Sequence, residues 1–332
     1  MESENPKLGR MQEILAEINK RLKTNFTFAD DASFEIRRLP TGMPLLDSIL
    51  GGGLPRKGIT ILYGYQSSGK TFIAQKVIAN AQKLGMTCAF VDAEFAYDPK
   101  WAAAIGVDNS KLILIQPPTA EKALDAVITL CELGVDLVIE DSIAALLPSK
   151  EDELDLDGSS PPMGLHARLM NAFFRKVAPS NINTAIILIN QVRAGLGGRG
   201  GYVPDVLPGG KGQQFFTRIL LRLKKGEEIY NEGESKKAKS LPVGFYIQVT
   251  AEKNKTYQPL LTCEIPFYYV GATDYLFEIF QVALRLGIIE ARGPYYSFGE
   301  DKRLGRDGFL EWLRADNDAR EKLLNMIEEK QE

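Results

Sequence analysis

At 332 residues, with 45% hydrophobic and 25% charged side chains, the chain has the composition of a globular protein with room for one large core plus one or two appendages, which excludes a disordered one. A formal net charge of −3 means that any polyanion must be met by a local basic patch and not by the field of the whole molecule. Three widely spaced cysteines (Cys88, Cys131, Cys263) match no zinc-ligand pattern, and Ser-His-Asp chemistry would rest on the single histidine, His166, with no nucleophile motif beside it.

In chain order, the first expected element is a helix over Lys7–Leu22. It puts Met11, Ile14, Leu15, Ile18 and Leu22 on one face and Lys7, Arg10, Lys20 and Arg21 elsewhere. Burial in the core is the default expectation for such a stripe. Phe26-Thr27-Phe28 then reads as a short edge strand. No apolar run approaches ~18 residues, so no membrane span is expected. The opening MESENPKLGR lacks the apolar region of a secretory leader, which with the sparse cysteines makes the expected location cytoplasmic.

Ile59–Tyr63 reads as a buried strand, and Phe72–Leu84 as a helix with Ile73, Val77, Ala81 and Leu84 on one face, stopping at Gly85. Between them Gly64-Tyr65-Gln66-Ser67-Ser68-Gly69-Lys70-Thr71 matches G-x-x-x-x-G-K-[ST], a pattern that chance places in roughly one chain of this size in a hundred. Glycines let successive N–H groups converge on phosphate oxygens at the start of a helix. Gly64, Gln66, Ser67, Ser68, Gly69, Lys70, Thr71 and Phe72 are therefore the expected ATP-binding residues. Lys70 is directed at the β- and γ-phosphates and the Thr71 hydroxyl at Mg²⁺.

Further strands are expected at Thr87–Asp92, Leu112–Ile115, Asp136–Asp141 and Ala185–Asn190, with helical stretches such as Ala120–Leu133 between them. Ala123, Val127, Leu130 and Cys131 share one side of that helix. Near-continuous apolar strands alternating with helices indicate a mostly parallel sheet covered on both faces, with its ligand at the carboxyl ends of the strands. Asp141 ends one strand as a Mg²⁺-holding carboxylate, while Glu140 should point to the other face. Asp92 and Glu94 lie two apart near another strand end, and Glu94 is the expected general base for the attacking water. Gln191 ends the strand before a glycine-rich stretch, where a neutral amide can sense a γ-phosphate.

That stretch, Ala194 to Lys211, exceeds the length of about 12–15 residues beyond which a structureless loop usually serves function. Arg193, Arg199 and Lys211 supply phosphate-binding charge, Gly197, Gly198, Gly209 and Gly210 supply close approach, and Leu196 is an apolar residue of the kind that wedges between bases. The preceding loop, Glu151 to Pro162, is acidic in its middle. Met163, Gly164 and Arg168 just after it, and Arg175 on the helix that follows, are better placed for a sequence-independent grip on a DNA backbone. The C-terminal part, from about Asp274, reads as a small α/β lobe: a helix over Tyr275–Leu286, an aromatic patch Tyr295-Tyr296-Ser297-Phe298, and a terminal helix carrying Phe309, Trp312, Leu313, Leu323, Leu324 and Ile327.

GYQSSGKT, CAFVDAEFAYDPKW, LVIEDSIAAL, MGLHARLM, LINQVR, LPGGKGQQFF and EKNK stand in the order and approximate spacing of the bacterial and phage RecA-type recombinases. The chain resembles that family from about Phe34 to its C-terminal region. The resemblance implies a RecA-like ATPase core over residues 34–270 with its DNA-binding loops. An N-terminal oligomerisation segment (1–33) would dock on the adjacent subunit, and a small C-terminal domain would occupy 271–332. It implies ATP and Mg²⁺ as cofactors, a helical homo-oligomeric filament on single-stranded DNA, pairing with double-stranded DNA and strand exchange in recombination and repair. By position, Glu94 is then the catalytic glutamate and Gln191 the switch between ATP and DNA. Asp98 and Trp101 meet adenine, Leu196 is the wedge, and Lys253 and Lys255 reach the ATP of the adjacent subunit. From the residues alone, those two lysines are a solvated end of the strand Phe245–Ala251 with both side chains on one face.

The chain departs from the family pattern at Tyr65-Gln66 (usually Pro-Glu) and Trp101 (usually Tyr). Gln248 and Thr250 replace basic residues that the family uses for a second DNA strand, whereas Lys224 and Lys225 keep the charge of another such pair. The alternative within the superfamily is a recombination regulator that binds without exchanging strands. The retained set of Glu94, Gln191, Lys253 and Lys255 argues against it.

Overall fold

The computed structural model describes residues 6–146, 164–192, 207–210, 212–231 and 240–331. Two compact units emerge, Met1–Arg37 and Arg38–Glu332. In the first, helix α1 (Pro6–Leu22) leaves its apolar stripe exposed instead of buried: Met11, Ile14, Ile18 and Leu22 are all open to solvent. The expected strand Phe26–Phe28 is not formed within the chain. Both backbone groups of Phe26 are taken by one side chain, since its N–H donates to Asn19 Oδ1 (2.7 Å) and its carbonyl accepts from Asn19 Nδ2 (2.9 Å). A segment whose polar groups are satisfied locally has no need of a ladder.

The second unit opens with a two-stranded ribbon, β1 (Arg38–Leu39) and β2 (Leu54–Pro55), around helix α2 (Pro44–Leu50). Its centre is an eight-stranded sheet made of β3 (Gly58–Gly64), β4 (Cys88–Asp92), β5 (Leu112–Ile115), β6 (Leu137–Asp141), β7 (Ala185–Gln191), β8 (Ile219–Ile229), β9 (Gly244–Asn254) and β10 (Thr262–Tyr268). The spatial order is β10-β9-β8-β3-β7-β6-β4-β5. Every neighbouring pair from β8 to β5 is parallel, and β9 runs antiparallel to β8 and β10. The expected mostly parallel α/β sheet is thus observed, extended at one edge by antiparallel strands.

Alternation along the strands sorts the core into two layers. Leu62, Phe90, Leu137, Ile139, Ile187 and Ile189 join one apolar cluster with helix α3 (Lys70–Lys83). Ile61, Ala89, Val91, Val138, Ile186 and Leu188 join the other, with α5 (Ala120–Glu132) and the helix Leu165–Ser180. Because residues two apart share a face, a strand buried on both sides must be apolar at every position, which is how these strands read. On α3 the expected stripe is buried at Ile73, Val77 and Ala81. Leu84 is exposed, because the helix already ends there and Gly85, at φ 75°, turns the chain away.

The C-terminal part comprises the helix Tyr275–Arg285, a small antiparallel sheet of β11 (Glu290–Arg292), β12 (Tyr295–Phe298) and β13 (Asp301–Leu304), and two helices, Arg306–Ala315 and Asn317–Gln331. The single terminal helix of the sequence reading is therefore broken. Asp316 interrupts it and restarts the second half, its Oδ1 accepting from Ala319 N at 2.9 Å. Phe280, Tyr296, Phe309 and Trp312 pack ring against ring, so these aromatics are core. Phe280, Phe309, Leu313 and Leu323 belong to the same apolar cluster as the sheet.

One buried acid stands in that cluster. Glu278 Oε2 accepts from Leu45 N at 3.3 Å, while its Oε1 meets no partner among the described residues. Burial foremost, with nearby Asp47 adding to it, pushes its pKa up to about 8. An acid whose pKa is raised on folding stabilises the fold fully below its unfolded value, near 4.5, and loses that contribution as pH rises toward 8. Glu278→Gln keeps an acceptor for Leu45 N without the ionisation. It is expected to stabilise the protein by roughly 1–3 kcal/mol at pH 8 and by almost nothing at pH 4, as read by urea unfolding at the two pH values.

Candidate active site and nucleic-acid interface

Strand register assembles the site at the carboxyl edge of the sheet. Gly64, which opens the glycine loop, is paired with Gln191 on one side and Leu223 on the other, and Asp92 is paired with Asp141. Four segments distant in sequence thus end in one row. The loop itself needs its glycines. A Cβ at Gly64 would sit 2.2 Å from the Leu223 carbonyl oxygen, and Gly69, at φ 89°, would place one 2.4 Å from Ile247 Cδ1. Helix α3 starts immediately after, at Lys70, so its unbonded N–H groups face the loop.

A cleft of about 460 Å³ lies over this edge, lined by Gln66 through Phe72, Glu94, Trp101, Asp141, Gln191, Phe245, Phe267 and Tyr269. The loop is thus on the wall of one cavity with the expected base, metal carboxylate and switch. Lys70 is almost wholly buried and donates to the carbonyls of Gly64 (3.2 Å) and Tyr65 (2.8 Å). Burial lowers its pKa, and Asp141 and Glu94 oppose that shift. Among the described residues Ser68 Oγ, which is buried, has no hydrogen-bond partner. An orphaned hydroxyl and a lysine held only by its own loop's carbonyls fit a polyanionic ligand that satisfies both.

The Thr71 hydroxyl donates to Asp141 Oδ2 at 2.7 Å. Burial, Glu94 and Asp92 raise the Asp141 pKa to about 7, against Thr71 and Lys70, which lower it. Such a carboxylate lacks positive charge, and a hydroxyl beside one carboxylate is the donor set of a Mg²⁺ that keeps its water and phosphate ligands. Among the described residues no group of three or more His, Cys, Asp or Glu gathers as a metal cluster. Glu140 is fully buried on the face of Val138, its carboxyl oxygens unpartnered, and its pKa is raised well above the ordinary value by burial and then by Asp141 and Glu94. It points away from the cleft, as alternation requires.

Asp92 and Glu94, paired in the sequence reading, take different parts. β4 ends at Asp92, which is buried and accepts from Ala96 N (3.1 Å), Tyr97 N (3.1 Å) and Gln116 Nε2 (2.9 Å), so it shapes the next turn. Glu94 lies past the strand on an exposed bend. Its Oε1 accepts from Gln191 Nε2 at 2.9 Å and from Ser142 Oγ. Contact between the expected base and the expected switch is the central feature of the site.

Trp101 lines the cleft, whereas Asp98 caps helix α4 (Pro99–Ile105), its Oδ1 accepting from Lys100 N (2.8 Å) and Trp101 N (3.3 Å). Asp98 therefore sets the position of Trp101 and is not among the cleft-lining residues. Phe245 and Phe267 were not singled out from the sequence, which left open which of Tyr268 and Tyr269, if either, meets the nucleotide. Phe267 lies edge-on to Trp101 (centroids 6.3 Å apart) and 5.8 Å from Tyr269, forming an aromatic wall suited to a purine. Of the adjacent tyrosines, Tyr269 faces this cleft, and Tyr268 lines a different cavity beside Arg306 and Arg314.

Lys253 and Lys255 do not line their own chain's cleft. Their ammonium groups hold successive carbonyls, Lys253 on Gln214 and Lys255 on Phe215 (2.9 Å), at the end of the short helix Gly212–Phe216. Both therefore project to one side, as their spacing indicated. Gln213, unremarked in the sequence, is buried and ties the site to the exit of the glycine-rich stretch. It meets Asn190 on β7 (2.9 Å) and the carbonyls of Pro208 and Gly210 (3.1 Å). Gly209 and Gly210 form the turn held there, at φ 93° and 77°.

Of the expected DNA-contacting residues, Gly164 begins the helix Leu165–Ser180, and Arg168 and Arg175 are exposed on it. Arg168, Asn171, Arg175 and Phe216 line one shallow cavity of about 350 Å³, with Phe216 stacked on Phe174. Two guanidiniums beside an aromatic face are suited to a phosphate backbone with stacked bases. Met163, Arg193, Leu196, Gly197, Gly198, Arg199 and Lys211 lie outside the described residues. Gln248, at a position where the family carries a base, donates to Glu264 Oε1 at 2.8 Å. Among the described residues no helix is long and apolar enough to cross a membrane.

The chain is similar to known proteins over most of its length. The family model of the RecA N-terminal domain matches residues 10–273. Protein RecA of Acholeplasma laidlawii (strain PG-8A) is 36% identical over 335 residues, covering 99% of this chain and 97% of that protein. Protein RecA of Thermus aquaticus is 39% identical over 281 residues (83% and 80%), and that of Aquifex aeolicus (strain VF5) is 39% identical over 276 residues (82% and 77%). Ordered motifs, sheet topology, site register and these likenesses agree, and the chain belongs to the RecA family.

Proposed function

We propose that the protein is a DNA-dependent ATPase and recombinase that assembles head to tail on single-stranded DNA and exchanges strands with a homologous duplex. The observation that carries this reading is the hydrogen bond between Glu94 and Gln191. It joins the group that orients water to the last residue of β7, three positions before the glycine-rich stretch that begins at Ala194. A ligand that draws Gln191 away changes both at once, which is the physical content of coupling nucleotide to polynucleotide.

Within one chain, the loop and Lys70 bind and orient the phosphates, and Glu94 holds the proton acceptor toward water. Trp101 and Tyr269 cover the base. Thr71 and Asp141 would hold Mg²⁺, which when bound supplies charge neutralisation between the β- and γ-phosphates. Lys253 and Lys255 face away from their own cleft and serve the neighbouring protomer's phosphates. The exposed stripe of α1 is the docking face that builds the filament, by a contact that repeats without closing. Arg168, Arg175 and the stretch 193–211, with Leu196 as wedge, grip the DNA.

ATP turnover measured with and without single-stranded DNA tests this. A rise of at least about tenfold is expected, together with filaments in electron micrographs and strand exchange with homologous duplex. Turnover indifferent to DNA overturns the reading. DNA stimulation without exchange would favour a regulator of recombination.

A further inference from the structure

Glu94 lies beyond the end of its strand on an exposed bend, with three side-chain torsions that nothing in β4 restrains. The restraint comes from the end of β6. The Asp141 carbonyl accepts both Ala93 N (2.8 Å) and Glu94 N (3.2 Å), and the next residue, Ser142, donates its hydroxyl to Glu94 Oε1. Ser142 is fully buried, and it caps the short turn Ile143–Ala145 without using its side chain. Its hydroxyl is therefore not spent on local structure, as a serine at a helix start usually spends it.

We propose that Ser142 is a positioning residue for Glu94: it fixes Oε1 of the carboxylate, so that Oε2 is the oxygen presented to the attacking water. The proposal rests on the reading of Glu94 as the base. Two donors share Oε1, and they differ in kind. Gln191, on a longer side chain at a strand end, is the donor that a γ-phosphate can recruit. Ser142, with one torsion and no exposure, is the donor that stays. Glu94 thus keeps its aim when Gln191 leaves it. Without Ser142 the carboxylate is held only while the switch is off, when turnover is not required.

Ser142→Ala is expected to lower kcat for DNA-stimulated ATP turnover about 10–100-fold, the range for a misaimed catalytic group. KM for ATP and the affinity for a fluorescent mant-ADP probe should stay within about twofold, because the loop, Lys70 and Asp141 are untouched. Ser142→Thr, which retains the hydroxyl, should recover most of the loss. Ser142→Cys, a near-isostere with a weak donor, repeats the test should the alanine variant fail to fold. In a Glu94→Gln background, Ser142→Ala should cost nothing further. An equal loss in both backgrounds, or a nucleotide affinity that falls with kcat, overturns the positioning role and leaves Glu94 as the base. Full turnover by Glu94→Gln alone overturns the base, and the positioning role with it. A crystal structure of Ser142→Ala supplies a readout apart from turnover: the Glu94 carboxylate should leave its present rotamer, and an unmoved carboxylate sinks the proposal.

Discussion

Glu94→Gln is expected to lower ATP turnover in the presence of single-stranded DNA about 10²–10⁴-fold, with nucleotide affinity changed by less than about twofold. Glutamine is nearly isosteric and still offers its carbonyl to Ser142 and Gln191, the two groups that meet Glu94 Oε1. What it lacks is the second carboxylate oxygen as a proton acceptor. Binding rests on the loop and the aromatic wall, so loss of the acceptor should appear in kcat alone. Steady-state kinetics together with mant-ADP titration separates the two quantities. A parallel loss of affinity would mean that Glu94 holds ligand and does not act on water.

Lys70→Ala is expected to reduce turnover at least about 10³-fold and to weaken nucleotide binding, which sets it apart from Glu94→Gln. Lys70 is nearly buried at the base of the loop, and its ammonium lies against the carbonyls of Gly64 and Tyr65. Desolvation lowers its pKa, so a phosphate that joins it removes an existing penalty as well as adding a charge-assisted bond. Alanine at this position leaves the phosphates without a buried cation while helix α3 keeps its N-terminus. Isothermal titration with an ATP analogue reads the binding loss directly. Wild-type affinity in Lys70→Ala would show that the lysine is structural.

Much of this is legible in the amino-acid sequence. Each strand of the parallel sheet proposed from the sequence is present, with ends shifted by at most a residue: burial on both faces leaves an unbroken apolar run in β3, β4, β6 and β7, whereas β5 stands at the sheet edge with Ile113 and Leu114 exposed. The glycine loop was legible because its backbone path forbids a Cβ at Gly64 and Gly69. Features that depend on which partner lies across a gap were not. Asp92 was expected to share a face with Glu94, yet Gln116 and two backbone N–H groups claim it for a turn. The cap that Asp98 gives its helix, through Lys100 N and Trp101 N, was not read either. Phe26–Phe28 has the side chains of a strand, but Asn19 satisfies Phe26 first.

The order of residues along the chain by itself determined the phosphate loop, the acid-ended strand and the alternation of strand and helix. Each is a local pattern dictated by backbone sterics or by the period of burial. Only the tertiary structure decided that Gln191 meets Glu94 on the oxygen that Ser142 holds, that Tyr269 and not Tyr268 lines the cleft, and that Lys253 and Lys255 turn from their own cleft. Those relations come from the register of strands distant in sequence, parallel at β4, β6 and β7 and antiparallel at β9 and β10, that the fold brings side by side. No period within a single segment encodes which residue of a distant strand will stand opposite.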